Sequence, residues 1–425
     1  MAILISSPLF AQDRVITLDE AYKTAVDNHE AVKIAGEAVS QAQSNLDKTT
    51  ARILPNLTVE GTYTRYNEQK SSGSFVTQPE DNSKVDIRVT QPLYTGGREW
   101  ANRRQARALI EKSKEGVELS TENVLRATAR AYFGLLKAQK DVEIKDAALK
   151  RADERRKVAD ARFKVGEVTR SAVLRAEAEL AGAEAELITS KSNLLDARNN
   201  LKRILGVTED FAVVEPAQHG SVEGDTETLV KRALDSRNDY KQSILDQRVA
   251  SEGITFAKGN FYPQLKLEGL YSWRDQNPQT TFFQEDSLSA SLILTYPIFE
   301  GGLRRAEVAE ARSKFREAEF RKLGLRRDIE IEVRDAINNV ESFRAVIDSF
   351  TKQVSFAEED YRMVFEQFKF GIATTVEVID SDTTLVQAQR SLANAAYDLQ
   401  LSIIELKYRL GILAQDAGFT EKSPK

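Results

Sequence analysis

The sequence contains no cysteine and only two histidines in 425 residues. The absence of cysteine excludes a disulfide framework, a cysteine-based metal site and a lipid-bearing cysteine at the N-terminus. The two histidines, His29 and His219, are far apart in the sequence. A solitary histidine is much more often structural or exposed than a metal ligand. We therefore predict no metal site and no cofactor.

Proline and long apolar runs are also scarce. There are nine prolines, and beyond the N-terminus no run of about 18 apolar residues indicates a transmembrane helix. Charged residues make up 29% of the chain, with long stretches of Ala, Glu, Lys, Leu and Arg, a composition typical of long helices and coiled coils. The net charge of −5 gives no indication of nucleic-acid binding.

The sequence also lacks the motifs of common catalytic sites. It has no paired histidines, no glycine-rich phosphate loop and no G-x-S-x-G motif. The acidic run Glu358-Glu359-Asp360 is more simply interpreted as a solvated helix face than as a catalytic pair. We therefore predict that the protein is not an enzyme.

What the sequence does contain is an internal repeat. The segment Thr90–Gly97, TQPLYTGG, returns as Thr295–Gly302, TYPIFEGG, at a spacing of 205 positions. The same spacing relates a later motif, in which Phe163, Gly166 and Thr169 return as Phe368, Gly371 and Thr374. A period of this length is too long for a solenoid and indicates the duplication of a whole structural half.

The repeat predicts a division of the chain into five segments. They are a signal-peptide remnant at 1–11, a first repeat at 12–206, a connector at 207–226, a second repeat at 227–413 and a polar C-terminal tail at 414–425. The apolar N-terminus breaks near Ala11-Gln12, as at a cleavage site. A disordered hydrophobic N-terminus is the alternative interpretation.

Each repeat shows the same order of hydrophobic periods: a helix, two alternating strands joined by a polar loop, a long helix, a tight turn and a return helix. The predicted helices are 17–52, 98–163, 169–205, 227–258, 302–368 and 374–410. The predicted strands are 57–66, 84–94, 265–275 and 288–299, with loops at 67–83 and 276–286. At about 1.5 Å per residue, each long helix would measure about 100 Å.

The predicted strands have the length and alternation of membrane-spanning β-strands. Strands in a bilayer must close into a barrel, because an open edge leaves backbone groups unsatisfied in lipid. Four strands cannot close alone, so they pair between chains or do not lie in a membrane; three chains would give a 12-stranded barrel. A small soluble sheet with ordinary aromatic residues is the alternative.

The duplicated motifs resemble the TolC-like outer-membrane efflux channel family over about Thr17–Leu413. The matching motifs are P-x-L before a strand, Q-P-L-Y-x-G-G and Y-P-I-F-x-G-G before the long helices, F-K-x-G at the helix turns and L-G at the ends of the return helices. The resemblance implies a homotrimer in the Gram-negative outer membrane. Its fold would be mainly α with membrane β: a 12-stranded barrel in lipid, four strands per chain, continuous with a helical barrel across the periplasm.

The resemblance also implies functional positions. The two helix turns would be the periplasmic tips that contact an adaptor, at Phe163, Gly166, Thr169, Phe368, Gly371 and Thr374. The alternative is that these residues only make the turns. The junctions between barrel and helices would be at Pro92, Gly96, Gly97, Pro297, Gly301 and Gly302. Glu377 and Asp380 would form an acidic ring at the lumen constriction, and their i, i+3 spacing places both carboxylates on one helix face. An exposed acidic helix face is the alternative for this pair.

One departure from the family concerns the closed tip. Related channels lock it with an Asp six residues after the first turn glycine and an Arg two residues after the second, where this chain has Ala172 and Ala373. The lock is therefore absent or made differently, with Arg170, Ser171 and Arg175 as candidates.

The function implied is a passive exit duct of a tripartite efflux or type I secretion system. Its partners would be a periplasmic adaptor, an inner-membrane transporter and outer-membrane lipid. The alternative is a soluble periplasmic coiled-coil scaffold without channel activity.

Overall fold

The computed structural model of the protein describes residues 14–216, 220, 224–280 and 282–419. The predicted signal-peptide remnant at 1–11 and His219 lie outside these residues. The described chain divides into two compact units. The first, here called the helical unit, contains residues 14–35, 117–238 and 326–419; the second, the sheet unit, contains residues 36–116 and 239–325.

The helices of the two repeats correspond closely in length. Those of the first repeat are α1 (Leu18–Asn28), α2 (Glu30–Ala51), α3 (Arg98–Lys164) and α4 (Arg170–Leu205). Those of the second are α5 (Thr226–Ser236), α6 (Asn238–Gly259), α7 (Leu303–Lys369) and α8 (Thr375–Arg409). Both α3 and α7 contain 67 residues. The repeat seen in the sequence is therefore a repeat of the fold.

The prediction of one continuous helix at the start of each repeat is wrong in both repeats. His29 interrupts the first with an extended backbone (φ −67°, ψ 130°), and Arg237 interrupts the second in the same way (φ −61°, ψ 125°). The ring Nδ1 of His29 accepts a hydrogen bond from the Ala31 N–H (3.2 Å) and so caps α2. Arg237 forms a salt bridge with Glu332 (2.5 Å). A break of one residue hardly disturbs the apolar period, so the sequence pattern conceals it.

The strands form three sheets. The strands are β1 (Arg14–Ile16), β2 (Asn56–Arg65), β3 (Lys70–Ser72), β4 (Phe75–Gln78), β5 (Asp81–Tyr94), β6 (Phe211–Val213), β7 (Gln264–Asn277) and β8 (Asp286–Thr295). The largest sheet is antiparallel in the order β2-β5-β7-β8. β1 pairs in parallel with β6, and β3 pairs with β4. Within the described residues, β2 and β8 each have one neighbouring strand and leave the other edge open.

Several predicted boundaries differ from the structure. The predicted loop 67–83 contains β3, β4 and the start of β5, and the last strand ends at Thr295 rather than residue 299. The predicted connector contains β6 and the first residue of α5. A short helix, α9 (Leu413–Asp416), crosses the predicted boundary between the second repeat and the polar tail, and its residues Leu413 and Ala414 are buried. These short elements depend on tertiary contacts that local patterns do not report.

The main core of the helical unit packs α1, α3, α4 and α8 around the β1–β6 pair. Its centre is formed by Leu125, Tyr132 and Leu205, which are fully buried. The hydroxyl of Tyr132 donates a hydrogen bond to the carbonyl oxygen of Val214 (2.7 Å), just after β6. Salt bridges also join α3 to its neighbours. Lys145 of α3 pairs with Glu186 of α4, and Lys137 of α3 pairs with Asp398 of α8.

Candidate functional site

The four-stranded sheet has one face made of exposed apolar side chains. Register aligns β2 with β5, β5 with β7 and β7 with β8, so that alternate residues of all four strands share this face. Its members include Leu57, Val59, Tyr63, Ile87, Val89, Leu267, Tyr271, Trp273, Leu288, Leu292 and Leu294, all of them exposed. A continuous apolar surface of this kind marks contact with a membrane or a partner.

The opposite face of the sheet is polar and charged. Asp86 on β5 is 6% exposed, and it accepts hydrogen bonds from Lys84 Nζ (2.6 Å) and Ser272 Oγ (2.6 Å). Glu268 on β7 lies 3.3 Å from Lys266 Nζ and 3.9 Å from Arg88 Nε. A sheet with one apolar and one charged face matches the alternation of membrane barrels, which face lipid on one side and a watery lumen on the other.

The two helix turns have the same backbone geometry. Gly166 and Gly371 both adopt φ +81°, a left-handed conformation that favours glycine. The N–H of Gly166 donates to Phe163 O (3.0 Å), and the N–H of Gly371 donates to Phe368 O (3.1 Å). In both turns, the N–H of the residue after the glycine also donates a hydrogen bond to the carbonyl oxygen five positions earlier. The repeated motif therefore encodes one turn twice.

The side chains around the two turns differ. Phe163 is 38% exposed, whereas Phe368 at the equivalent position is 1% exposed. The guanidinium of Arg162 lies over the Phe368 ring (5.4 Å), and Arg162 Nη1 donates to the carbonyl oxygen of Phe368 (2.9 Å). The most exposed apolar side chains near the turns are Val165, Phe370 and Ile372, at 70–79%. Phe368 is thus part of the support beneath the second turn, whereas Val165, Phe370 and Ile372 present apolar side chains to solvent.

Glu377 has a structural partner in Thr374. Thr374 is the N-cap of α8, and its hydroxyl accepts a hydrogen bond from Glu377 N–H (3.3 Å). In return, the Glu377 carboxylate accepts from Thr374 N–H (2.7 Å) and from the Thr374 hydroxyl (2.9 Å). These two bonds lower the pKa of Glu377, the backbone bond contributing most. Glu377 is therefore ionised at neutral pH, and both it and Asp380 are exposed in the chain.

The predicted junctions place glycines where the chain leaves the sheet. Gly96 and Gly97 have φ of 66° and 79°, and Gly301 and Gly302 have φ of 60° and 92°. A Cβ at Gly96 would lie 2.2 Å from the carbonyl oxygen of Gly259, so glycine is required for this close approach. The β5–β7 register shifts between Pro92 and Tyr94, and the carbonyl oxygen of Pro297 accepts a hydrogen bond from Arg304.

Ala172 and Ala373, at the two positions discussed for the closed tip, line one cleft together with Arg162, Ser171 and Arg175. Ala373 is buried beside the second turn, while the candidate substitutes Arg170, Ser171 and Arg175 are exposed. A different link joins the two turns: the hydrogen bond of Arg162 to Phe368 described above.

A buried ionic cluster lies deeper in the same helices. Asp382 of α8 is 4% exposed and pairs with Arg151 Nε (2.5 Å) and Arg155 Nη1 (3.0 Å) of α3. Arg155 is 2% exposed and lies 3.5 Å from Glu179 of α4. Burial also raises the pKa of Tyr361 on α7, beside this cluster. The sequence analysis missed these residues; the one available signal is the i, i+4 spacing of Arg151 and Arg155 on one helix face.

Two structural searches give negative results for the described part of the chain. None of its helices combines the length and apolar character needed to traverse a bilayer. No cluster of three or more histidine, aspartate or glutamate residues among those described is arranged to hold a metal ion.

The two-faced sheet and the duplicated helical hairpins define the class of outer-membrane channel proteins. The chain matches the sequence profile of the outer membrane efflux protein family over residues 21–207 and 229–411, which covers both repeats. It therefore belongs to this family. It is an exit duct for efflux or secretion in the Gram-negative outer membrane, with its helical tunnel in the periplasm. The soluble-scaffold alternative is set aside.

Individual relatives are distant. The chain is 21% identical to outer membrane protein TolC of Vibrio cholerae over 97% of its own length and 93% of the relative. It is 27% identical to outer membrane protein TolC of Salmonella enteritidis over 44% of its own length and 39% of the relative. The outer membrane channel CmeC of Campylobacter jejuni has a similar fold, with a TM-score of 0.83 and 19% identity over 96% of this chain and 87% of that one.

Proposed function

We propose that the duct is a homotrimer in which the open edges of the four-stranded sheet pair between copies. The observation that carries this proposal is the combination of an exposed apolar face with two unpaired edge strands, β2 and β8. An open edge in lipid would leave backbone groups without hydrogen-bond partners, and four strands are too few to close on themselves. Three copies give a 12-stranded barrel whose apolar face contacts outer-membrane lipid.

The helical unit offers independent support. α4 carries exposed apolar and small residues at heptad spacing, with Leu174, Ala181, Ile188 and Leu195 in one row. α7 carries a row of its own with Phe356 (73% exposed) and Met363 (48% exposed). Heptad rows are the seams of coiled coils, which bury them against another helix. We infer that α4 of one copy packs against α7 of the next.

The oligomeric state can be measured directly by native mass spectrometry in detergent. A single species with three times the mass of one mature chain is expected. Ile188→Asp and Phe356→Asp should each shift the population towards single chains, because a charge in a coiled-coil seam is desolvated without a partner. Phe75→Asp on β4, an exposed apolar residue outside the seam, is the matched control. A monodisperse, detergent-free monomer would remove the proposal.

We further propose that the duct works with a periplasmic adaptor and an inner-membrane transporter, and that the two turns contact the adaptor. The support is the exposure of the apolar side chains Val165, Phe370 and Ile372 at two turns of identical backbone geometry. Gly166, Gly371, Thr169 and Thr374 shape these turns. Phe163 is partly exposed and can take part in the contact, while Phe368 holds the second turn from beneath.

The contact can be tested by placing a photo-crosslinking amino acid at Val165 or Ile372 in the native host. Both positions should yield covalent adducts with one and the same periplasmic protein, and a crosslinker at Phe75 should not. Val165→Asp combined with Ile372→Asp should abolish export while the trimer mass is unchanged. Normal export by this double variant would refute the tip contact.

Glu377 and Asp380 are proposed to line the narrowest point of the lumen. Both are exposed and separated by one helix turn on α8, and the capping bonds keep the Glu377 carboxylate ionised. Threefold symmetry would gather these carboxylates into one ring, and acidic rings favour cations. The test is single-channel recording in planar bilayers. Glu377→Ala with Asp380→Ala should weaken cation preference and relieve block by multivalent cations, whereas Glu177→Ala on α4 should not. Unchanged selectivity in an assembled trimer would place the pair outside the constriction.

A further inference from the structure

A cleft between α3 and α4 in the helical unit has a strongly basic lining. Its volume is about 390 Å³. The polar residues that line it are Asn123, Arg126 and Arg130 from α3, and Asn200 and Arg203 from α4. No carboxylate is among the described residues that form this lining. The cleft is separate from the turns, the acidic pair and the junctions discussed above.

The positive charge of the cleft is only partly compensated. Glu405 of α8 lies 3.2 Å from Arg126 Nε and 3.0 Å from Arg130 Nη2. The same carboxylate also accepts a hydrogen bond from Arg409 Nε (3.0 Å), but Arg409 has a second partner in Glu332 (2.8 Å). Arg126 and Arg130 therefore share the one carboxylate of Glu405. Arg203 donates to the neutral side-chain oxygen of Asn200 (3.2 Å). The cleft therefore carries a surplus of guanidinium charge.

Neighbouring side chains hold this basic surface in place. The guanidinium of Arg126 lies 4.5 Å from the centre of the Tyr408 ring, a stacking arrangement that restricts its motion. The Tyr408 hydroxyl donates to Asn123 Oδ1 (2.8 Å), which leaves the Asn123 amide N–H groups available as donors. The side chain of Arg130 is 57% exposed, and Arg203 is exposed as well. Donors from both helices can thus reach a solute.

The cleft also lies on the side of α3 that faces away from the core. At 100° per residue, Asn123, Arg126 and Arg130 point away from Leu125, Ala129 and Tyr132, which are fully buried. The core therefore does not cover the basic lining.

We propose that this cleft binds an oxyanion, a carboxylate or phosphate group, through Arg126, Arg130 and Arg203. Planar guanidinium groups match carboxylate and phosphate oxygens in paired hydrogen bonds, and a cluster of them without enough carboxylate partners is suited to such a ligand. The group can belong to a soluble anionic solute or to a lipid headgroup. The chemistry of recognition is the same for both sources.

Inorganic phosphate titrated into the full-length protein in neutral detergent, followed by calorimetry, tests the proposal. Phosphate should bind the unmodified protein, and Arg130→Gln with Arg203→Gln should weaken binding by about tenfold or more, because two charge-assisted contacts are lost. Arg130→Lys with Arg203→Lys should fall between the two, since lysine keeps the charge but not the fork. Arg312→Gln with Arg316→Gln, two exposed arginines of α7, is the charge-matched control and should bind as the unmodified protein does.

A second arm separates the two sources of the oxyanion. Displacement of phosphate by phosphatidylglycerol added to the micelles assigns the cleft to a lipid headgroup, and no displacement assigns it to a soluble solute. Absence of phosphate binding to the unmodified protein at millimolar concentration would overturn the proposal. Equal binding by the two glutamine double variants would overturn it as well. This measurement does not depend on conduction or export.

Discussion

The two helix turns have the same backbone but different surroundings. The turn at Gly166 is followed by Thr169, whose side chain makes no capping hydrogen bond within the described helix α4. The turn at Gly371 is followed by Thr374, which forms a complete capping box with Glu377. Only the second turn has a buried phenylalanine beneath it and Arg162 braced against it. The two copies thus share the chain reversal, but only the turn at Gly371, here called the anchored turn, has these supporting contacts.

The largest expected effect comes from the ionic cluster on the helices of the anchored turn. Asp382→Asn leaves the buried Arg155 without its main carboxylate partner and should lower the free energy of unfolding by about 3–5 kcal/mol. The equivalent residue of the first repeat, Glu177, is exposed, so Glu177→Gln should change the free energy of unfolding by less than about 0.5 kcal/mol. Urea unfolding followed by circular dichroism measures both. Equal losses of unfolding free energy in the two variants would mean that the ionic cluster does not stabilise the second repeat more than the first.

Substitution of the two turn glycines should have the next largest effect. Gly166→Ala should lower the free energy of unfolding by about 1–2 kcal/mol, because a residue with a Cβ is strained at positive φ. Gly371→Ala should cost more, since its Cβ would lie 3.0 Å from Arg162 Nη2 and would disturb the bond from Arg162 to Phe368. The same urea titration ranks the two variants. A larger loss at Gly166 would contradict the account of Arg162 as a brace.

The capping threonines should differ as well. Thr374→Ala removes the capping box and should lower the free energy of unfolding by about 0.5–2 kcal/mol. Thr169→Ala should leave the free energy of unfolding almost unchanged, because Thr169 makes no capping hydrogen bond. Hydrogen exchange of the first-turn amides of α8 and α4 provides the local measurement. Faster exchange is expected in α8 alone, and equal acceleration in both helices would mean that the two caps are equivalent.

The smallest effect is a pH dependence confined to the anchored turn. The pKa of Glu377 is lowered in the folded chain, so its stabilising contribution is present above its ordinary pKa of 4.5 and is lost as pH falls through the folded value. The stability difference between the unmodified protein and Thr374→Ala should therefore shrink as the pH falls through 4.5 and below. Repeating the titration in Glu377→Gln should remove this change. A difference that is constant with pH would show that the carboxylate does not contribute to the cap.

The contrast between the turns also shows what sequence patterns can predict. The 205-residue repeat, the strand alternation and the glycines after Phe163 and Phe368 were sufficient to predict the order of the long helices and of the strands in the largest sheet, and the position of both turns. The breaks at His29 and Arg237 were not predictable, because one extended residue barely alters a helical period. The capping role of Glu377 was readable from T-x-x-E, whereas the pairing of Asp382 with Arg151 and Arg155 requires knowing which helices pack together.

The central claim, that separate copies close one sheet, can be tested most directly by cross-linking its edges. The chain has no cysteine, so paired cysteines can be introduced without background. Thr58→Cys on β2 combined with Ser289→Cys on β8 places one thiol on each open edge. Within one chain these edge strands are three strand spacings apart, about 14 Å. A bis-maleimide of about 8 Å therefore joins them only between chains.

The account predicts denaturing-gel bands of two and three chains for this pair. Thr90→Cys on the interior strand β5, combined with Ser289→Cys, should give no band above one chain. A single-chain band alone for the edge pair, in protein extracted from membranes, would contradict a sheet closed between copies.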